Sequence, residues 1–452
     1  MHGSKYRSSG VTPLGLERLL GFRSQKPDAR LPGVSRGVAK AISLCHSLLS
    51  ERGESSGDRM ASEALLAYQS LDGPSLGAFF DLLIQEFSPD PDKVGRAGEA
   101  YREEPSAANL ARLQRVAEPP RQELFRRLNM AANGTRVLLE LRRRLLAELP
   151  QNPQWEPIEA DLAHLFRSWF NRGFLVLERI DWRTSAIILE KLIQHEAVHQ
   201  IQGWRDLRRR LEADRRCYAF FHPALRDEPI IFIEVALTHG MSTKVQPLIN
   251  PDAPVFDPKA ADCAMFYSIT NCQEGLRRVP FGNFLIKKVA EDLEKEFPRL
   301  RVFATVSPIP GFREWLAEAA RGQEHQPGLM ALTAWLADPN WPADKRVSAE
   351  LERELMPLCA YYLLHAKRGK EPVDSVARFH LRNGARLERI NWLGDTSPAG
   401  MQRSAGVMVN YLYPLHDVER NHELYTKEYR ISVSRQIESL AKQSIFMRKK
   451  SA

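Results

Sequence analysis

The five residues HEAVH, which begin at His195, have the types and spacing of a zinc peptidase site. If the segment is helical, residues four apart share a face, so His195 and His199 could offer two imidazole nitrogens to one metal ion. Glu196 would then polarise a metal-bound water. The extended form of the motif is absent, because Gln202 stands at its glycine and Arg205 at its last histidine.

Two interpretations of this segment stay open. A downstream glutamate could supply the third zinc ligand, and the candidates are Glu212, which lies among basic residues, and Glu234, which lies in an apolar run. The other interpretation needs no metal. The two histidines follow Ile188 and Leu192 at spacings of four, three and four, so they would continue the apolar stripe of a helix.

A serine and another histidine have the surroundings of catalytic groups. Ser307 ends an apolar, strand-like run, and the Pro-Ile-Pro-Gly turn after it would hold its hydroxyl in one direction. His380 lies in an alternating, strand-like stretch before the turn dipeptide Asn383–Gly384. An imidazolium at that position suits a general acid near neutral pH. The structural alternatives are a serine that satisfies a turn and a packed histidine.

A turn between a strand and a helix has the features of an anion site. We expect a strand to end at Thr270 and a helix to begin near Gly282. Such a turn directs backbone N–H groups and the positive end of the helix at its occupant. Gly275 would let the backbone approach a bulky anion, and Arg277 and Arg278 would add positive charge. The expected occupant is a phosphate group.

Composition limits the class of protein. The 452 residues are 43% hydrophobic and 27% charged, which is typical of a soluble globular protein of two or three domains. No apolar run is long enough to cross a membrane, and the opening MHGSKYRSSG lacks the core of a secretory signal. The net charge of +8 favours an anionic small ligand over nucleic acid, since aromatics do not accompany the charge. Five scattered cysteines predict a reducing, cytoplasmic compartment and no cysteine metal site.

The elements that must position these groups divide into two regions. Residues 1–168 have helical apolar spacing throughout and predict an all-helical domain for oligomerisation or interaction. Its basic run at residues 142–146 is expected to be the solvated face of an amphipathic helix. Residues 169–452 predict a mixed α/β domain, with a long helical stretch at about 313–368. Its strand-like runs lie at residues 174–180, 217–222, 229–238, 263–270 and 301–310.

Taken together, these segments resemble the malonyl-CoA decarboxylase family. The matching stretches include HEAVH, RRCYAFFH, PIIFIEVALT, FYSIT, QEGLRRV, FLIKKV, EFPRLRVFATVSPIPGF, FHLRNGA, RINW and GVMVNYLY, in the family's order. The resemblance implies a helical N-terminal domain followed by an acetyltransferase-superfamily (GNAT-like) mixed α/β catalytic domain. It also implies a homo-oligomer, a tetramer in the family, that converts malonyl-CoA to acetyl-CoA and carbon dioxide without metal or organic cofactor. HEAVH would then belong to the fold.

The resemblance assigns roles to particular residues. The family's catalytic serine, a proton acceptor, falls on Ser307, and its catalytic histidine falls on His380. Arg278 stands where a second glycine is expected, so the backbone donors to the diphosphate stay open. The family's coenzyme A segment falls on Gln273, Glu274, Gly275, Leu276, Arg277, Arg278 and Val279.

The implied chemistry passes through an enolate. Loss of carbon dioxide leaves a carbanion whose charge is shared with the thioester oxygen, so the enzyme must favour that developing charge. We expect backbone N–H groups near Phe266–Ser268, or in the SPIPGF turn, to form the oxyanion hole. The alternatives are an acyl-CoA-dependent acyltransferase of the same fold, the zinc peptidase, and a non-enzymatic acyl-CoA sensor. Acceptance of methylmalonyl-CoA stays open.

Overall fold

The computed structural model describes residues 35–50, 52–279, 285–322 and 327–448. Packing divides the chain into two compact units, with the division between Gly134 and Thr135. This division differs from the domain boundary at residue 168, which stays a prediction. The predicted helix start near Gly282 lies outside the described residues, as does the N-terminal segment MHGSKYRSSG.

The first unit consists of amphipathic helices, as its apolar spacing predicted. Its described helices are Arg36–Leu49, Arg52–Gln69, Gly73–Glu86, Pro91–Glu103, Ala107–Ala117 and Pro120–Asn129. Four of them begin at a serine or aspartate whose side chain accepts a hydrogen bond from a first-turn N–H. Their inward faces bury aromatic and aliphatic side chains, among them Phe80, Leu83 and Phe125.

The second unit places helices around a mixed sheet. No helix in the described ranges is both long and apolar enough to cross a membrane. The predicted helical stretch at about 313–368 is present as three helices. The helices that lead into or belong to this unit are Gly134–Glu148, Glu156–Trp169, Ala186–His195, Trp204–Arg210, Gln246–Ile249, Leu285–Glu296, Phe312–Arg321, Pro327–Trp335, Lys345–His365, Ser375–Arg382, Pro398–Ser404, Val418–Glu428, Arg435–Lys442 and Ile445–Arg448.

Eight strands of the described chain form one sheet. Their spatial order is β1-β2-β3-β4-β5-β10-β6, and β9 pairs with β10. A small hairpin, β7 with β8, lies apart from the sheet. The strands are β1 Val176–Ile180, β2 Arg215–Phe221, β3 Pro229–Thr238, β4 Cys263–Asn271, β5 Val302–Thr305, β6 Ser307–Pro308, β7 Lys367–Arg368, β8 Glu371–Pro372, β9 Arg386–Asn391 and β10 Met408–Leu412.

Each of the five predicted strand-like runs overlaps an observed strand. β2 and β3 are buried along almost their whole length, which explains their continuous apolar composition. The helix Ala186–His195 packs on this sheet, since its Leu189 and Leu192 share a buried cluster with Cys217 and Ala219 of β2. The predicted order, a helical N-terminal region followed by a mixed α/β domain, is confirmed.

β4 and β5 run parallel and then separate. Their pairing ends at Phe266 opposite Thr305, and Val306 N donates the next hydrogen bond to Phe266 O at 3.0 Å. On its other side β5 pairs with β10, with Ala304 opposite Leu412, and this pairing continues where Ser307 lies opposite Val409. From Ser307 onward the chain therefore keeps β10 as its neighbour but no longer pairs with β4, and an opening forms on the side of β4.

A bulge in β4 lies at the same level. Val235 of β3 pairs with Phe266 and Glu234 pairs with Ser268, so Tyr267 is the extra residue between them. Such a bulge bends a strand and locally increases its twist. β4 and β5 therefore diverge at Phe266–Ser268, the segment where we expect oxyanion donors. The divergence coincides with the bulge in β4 and with the end of the pairing between β4 and β5.

Candidate active site

Ser307 and His380 lie side by side at this opening. Ser307 Oγ and His380 Nε2 are 3.0 Å apart, and the two residues are only 5% and 3% exposed. Ser307 follows the buried strand β5 and begins the two-residue strand β6. The structure therefore brings together two candidate residues that are far apart in the chain. Their catalytic roles stay a prediction.

His380 lies on the helix Ser375–Arg382, so the predicted strand at this position is wrong. The buried residues Ala377, His380 and Leu381 have the spacing of one helix face. Asp374 caps the helix by accepting a hydrogen bond from Ala377 N at 2.8 Å. These contacts fix the direction of the imidazole.

The turn after this helix depends on a glycine, as the Asn-Gly dipeptide suggested. Gly384 has a φ of +79°, and a Cβ there would lie 2.0 Å from the carbonyl oxygen of Val418. Only glycine fits both the left-handed conformation and the close approach. The turn leads directly into β9 and so ties the His380 helix to the sheet.

The Ser307 hydroxyl is oriented by Thr305, two residues earlier on the same face. Ser307 Oγ donates to Thr305 Oγ1 at 2.8 Å, and Tyr411 N donates to the same oxygen at 3.1 Å. Asn410 Nδ2 donates to the Thr305 carbonyl at 2.6 Å. Thr305 is fully buried and held on both its side chain and its backbone.

The His380 ring is held by two tyrosines of β10 and the segment after it. The Tyr411 ring stacks on it with centroids 4.4 Å apart, and the Tyr413 hydroxyl lies 2.7 Å from Nδ1. Because the Ser307 hydroxyl donates to Thr305, the Ser307–His380 bond needs an N–H at Nε2. In a neutral ring Nδ1 then accepts from the Tyr413 hydroxyl.

The pKa values of these groups agree with a neutral site. Burial lowers the pKa of His380 to about 3, so the imidazole carries no charge at physiological pH. The imidazolium expected from the sequence is therefore wrong for the resting protein. Burial raises the pKa of Tyr413 well above its ordinary value, so its hydroxyl keeps its proton. The proton that His380 can transfer to Ser307 is therefore the one on Nε2.

Removing the Tyr413 hydroxyl tests this assignment. Tyr413→Phe leaves Nδ1 without its donor, so the tautomer with hydrogen on Nε2 is no longer favoured. We expect kcat for the site's reaction to fall about tenfold, the effect of one hydrogen bond, with KM little changed. Tyr429→Phe, at a partly exposed tyrosine, is the control. An unchanged kcat for Tyr413→Phe would show that Tyr413 has no part in orienting the proton.

The seven residues predicted to hold coenzyme A follow β4 directly. Glu274–Leu276 form one turn of 3-10 helix, with Gly275 and Leu276 buried. Arg277 and Arg278 are exposed, as a phosphate site requires. Gln273, Glu274 and Gly275 also line a cavity of about 320 Å³. Whether these residues bind the ligand stays a prediction.

Gly275 has a packing role that the sequence did not reveal. A Cβ on Gly275 would lie 2.2 Å from the carbonyl oxygen of Leu139, so only glycine fits there. Arg142 Nη1 donates to the carbonyls of Gly275 at 2.5 Å and Arg277 at 3.0 Å, while Nη2 donates to Glu159 at 2.5 Å. The need for glycine is explained by this contact and not by an approaching anion.

Arg142 corrects the prediction that the basic run at residues 142–146 is a solvated face. Its side chain is fully buried, and it braces the turn after β4. The available signal was its position between Leu138 and Leu145, which share its buried helix face. Its neighbours Arg143 and Arg144 bond Glu140 at the surface, as expected of such a run.

Arg278 has the backbone conformation of the glycine that the family pattern predicts there. Its φ is +66°, in the left-handed region that non-glycine residues seldom adopt. Arg278 thus adopts at this position a backbone conformation that usually favours glycine.

Gly275→Ala is expected to destabilise the protein. The added methyl group must displace the Leu139 carbonyl or the turn, and overpacking of this kind typically costs about 1–3 kcal/mol of unfolding free energy. Chemical denaturation followed by circular dichroism measures the change. Gly98→Ala is the matched control, because nothing lies within 4 Å of a Cβ built there. Equal stability of the two variants would contradict the packing role of Gly275.

Comparisons with known proteins agree with this arrangement. A family model described as the malonyl-CoA decarboxylase C-terminal domain matches residues 173–451, and the N-terminal domain model of the same family matches residues 87–170. This chain belongs to the malonyl-CoA decarboxylase family. The first match covers the opening between β4 and β5 together with Ser307 and His380.

Several family members that are similar to this chain have solved structures. Crystal structures of malonyl-CoA decarboxylase from Rhodopseudomonas palustris and Agrobacterium vitis are each 45% identical to this chain, with TM-scores of 0.85 and 0.83. Each covers 89% of this chain and 99% of the solved chain. The mitochondrial malonyl-CoA decarboxylase of Anser anser anser is 34% identical over 422 residues, which are 85% of this chain and 84% of the relative.

The helical premise of the zinc interpretation is wrong for this family member. The helix ends at His195 and Glu196 is its C-cap, so His195 and His199 do not share a helix face. One carboxylate oxygen of Glu196 accepts from Val198 N and His199 N, both at 2.7 Å. Glu234, a candidate third ligand, forms a buried ion pair with Arg210 at 2.5 Å. These side chains have partners that a zinc site would have to displace.

The sequence interpretation missed four side chains of the site: Thr305, Asn410, Tyr411 and Tyr413. The last three lie in GVMVNYLY, a stretch that carries the family resemblance but contains no residue usually assigned a catalytic role. Thr305 had a signal of its own, since it precedes Ser307 by two residues in a strand and therefore shares its face.

Proposed function

We propose that this chain decarboxylates malonyl-CoA to acetyl-CoA and carbon dioxide. Membership of the malonyl-CoA decarboxylase family supports the substrate. The observation that carries the chemistry is the buried chain of hydrogen bonds from Tyr413 through His380 to Ser307. These hydrogen bonds lie at the opening between β4 and β5, and the last group in the row is the Ser307 hydroxyl, which can give up a proton.

The thioester supplies the electron sink, so the reaction as proposed needs no metal or organic cofactor. As the C–C bond to the carboxylate breaks, its electron pair forms the enolate and negative charge develops on the thioester oxygen. Backbone N–H groups of β4 beyond Phe266, where the pairing with β5 ends, are the proposed donors to that oxygen. Fixed donors in a buried site stabilise this charge more than water does.

Ser307 is proposed to bind the departing carboxylate and then to protonate the enolate carbon. Its hydroxyl rotates from Thr305 to the malonyl carboxylate, and after carbon dioxide leaves the same hydroxyl faces the carbanion. As Ser307 gives up its proton, His380 Nε2–H reprotonates Oγ and the Tyr413 hydroxyl reprotonates Nδ1. After the product leaves, Nε2 takes up a proton from solvent and Nδ1 returns its proton to the Tyr413 oxygen. This restores the resting tautomer, so each turnover takes up one proton.

The burial of these groups favours loss of the malonyl carboxylate. Ser307, His380 and Tyr413 are each at most 5% exposed. A carboxylate placed among them loses most of its hydration, and its departure as a neutral gas removes the unsolvated charge. The exposed Arg277 and Arg278 are the proposed partners of the coenzyme A phosphates.

The test is to incubate chelator-treated protein with malonyl-CoA alone and to measure acetyl-CoA by mass spectrometry. We expect stoichiometric acetyl-CoA, with one deuterium in its methyl group when the reaction is run in D2O. Turnover only in the presence of an amine acceptor would instead show an acyltransferase. Binding of malonyl-CoA without turnover would show an acyl-CoA sensor, and activity lost to chelation and restored by zinc would overturn the cofactor-free proposal.

Assembly and location are further parts of the proposal. A homo-oligomer, a tetramer as the family resemblance implied, is tested by light scattering of the purified chain. A cytoplasmic location is supported by the five cysteines, which are all buried free thiols suited to a reducing compartment. The relatives named mitochondrial make the mitochondrion the competing location, and cell fractionation decides between them.

A further inference from the structure

The HEAVH segment contacts the active-site strand directly. One oxygen of Glu196 holds the turn after its own helix, as described above. The other oxygen, Oε2, accepts from Ser268 Oγ at 2.7 Å and from Thr270 Oγ1 at 3.3 Å. One buried carboxylate thus joins a helix terminus to the part of β4 that has separated from β5.

The point of contact is the bulge. Ser268 immediately follows Tyr267, the extra residue in the pairing of β4 with β3. Ser268 and Thr270 are themselves 3.2 Å apart through their hydroxyls, so both share the same carboxylate. The Glu196 carboxyl group therefore links its helix end to two hydroxyl groups of the separated part of β4.

The rest of the HEAVH segment is fastened at the same place. The backbone carbonyl of His199 accepts from Arg210 Nη2 at 2.7 Å. Arg210 also pairs with Glu234, which lies opposite Ser268 on β3, and its guanidinium lies 5.9 Å from the centre of the Tyr267 ring. Contacts from Glu196 and Arg210 therefore meet β4 between Tyr267 and Thr270.

We propose that Glu196 is a positioning residue for the decarboxylation: it holds β4 in its bulged conformation so that the free N–H groups of β4 face the thioester oxygen. The inference rests on the proposed function, because it assigns the bulge to the oxyanion hole. The Glu196 side chain does not need to touch the substrate. A simple helix cap would use only the oxygen that bonds Val198 and His199, whereas the second oxygen of Glu196 accepts hydrogen bonds from β4.

The test uses Glu196→Ala and Glu196→Gln. Glu196→Ala releases β4, and a displacement of the oxyanion donors by about 1 Å is expected to lower kcat about 100-fold. Glu196→Gln keeps the shape and one acceptor, so a smaller loss of about tenfold is expected. The dissociation constant of coenzyme A should stay within about threefold, since phosphate contacts do not depend on the bulge.

Combining Glu196→Ala with changes to both hydroxyl partners shows whether its effect on kcat passes through them. If Glu196 acts through the two hydroxyls, Glu196→Ala adds little to kcat loss in a Ser268→Ala, Thr270→Val background, because the bonds are already gone. Full additivity would overturn the proposed path.

Asp214→Asn is the matched control. Asp214 is a comparably buried carboxylate that accepts hydrogen bonds from Arg209 and from Phe256 N, and it accepts none from the side chains of β4 in the described part of the chain. The Asp214→Asn variant should have a lower melting temperature, as Glu196→Gln does, but its kcat should stay near the wild-type value. A kcat loss that merely follows the loss of stability in both variants would make Glu196 structural and overturn the proposal.

Hydrogen exchange separates this inference from the proposed function. In Glu196→Ala, amides of residues 266–270 should exchange faster, while those at the start of β4 stay protected. If the wild type forms no acetyl-CoA, the proposed function fails. The exchange rates would still show whether Glu196 holds β4 in its bulged conformation. Unchanged exchange in an active enzyme would overturn the positioning role alone.

Discussion

A His380→Ala variant is expected to form acetyl-CoA about 1,000- to 10,000-fold more slowly than the wild type, the range for loss of a general acid. The substitution removes the Nε2 proton that reaches Ser307 and the link from Tyr413. Coenzyme A binding should be largely unchanged, because the segment predicted to bind it lies after β4. Steady-state kinetics and calorimetric binding of coenzyme A measure the two quantities.

The control for this variant is His416→Ala, at a histidine whose side chain is 82% exposed. It should leave both quantities at their wild-type values. If His380→Ala instead weakened coenzyme A binding as much as turnover, His380 would be structural.

The pH dependence of the wild type follows from the same site. Because burial lowers the pKa of His380 to about 3, the ring is neutral throughout pH 5–8. Raising the pH through 6.5 therefore removes no proton from His380, and kcat should not fall there. A loss of kcat with an apparent pKa between 6 and 7 would show that the imidazolium is the active form.

Ser307→Ala is expected to lower kcat about 100-fold or more. The variant loses the hydroxyl that binds the carboxylate and delivers the proton, while His380 and Tyr413 keep their own bond. A smaller effect than that of His380→Ala is expected, since a water molecule in the vacated space can carry the proton from Nε2. Rapid-mixing measurement of carbon dioxide release and acetyl-CoA formation separates the two steps.

Ser404→Ala is a matched control for the serine variant, because Ser404 is also buried and donates to the Val407 carbonyl at 2.7 Å. It should affect stability and not turnover. In the double variant of Ser307 and His380, the effects should not multiply, as for groups that act in one relay. Independent, multiplying effects would contradict the relay.

The sequence alone determined the strands, the order of the two regions and the candidate residues. β3 coincides with the apolar run at residues 229–238, because a strand buried on both faces must be apolar along its length. Ser307 was found from the prolines that end its strand. These are local signals, since each depends on neighbours within a few residues in the chain.

Only the tertiary structure decided which of these residues meet and in what charge state. Ser307 and His380 come together beside β10, which pairs with Ser307 through Val409 and stacks Tyr411 on the His380 ring. No local pattern encodes these long-range contacts. The charge of His380 depends on burial by distant residues, so the expected imidazolium was wrong. Arg142 and Glu196 likewise bond groups that are distant in the chain: the Gly275 carbonyl and the Ser268 hydroxyl. Spacing in a sequence records local periodicity, whereas desolvation and hydrogen bonding depend on whatever the fold places within a few ångströms.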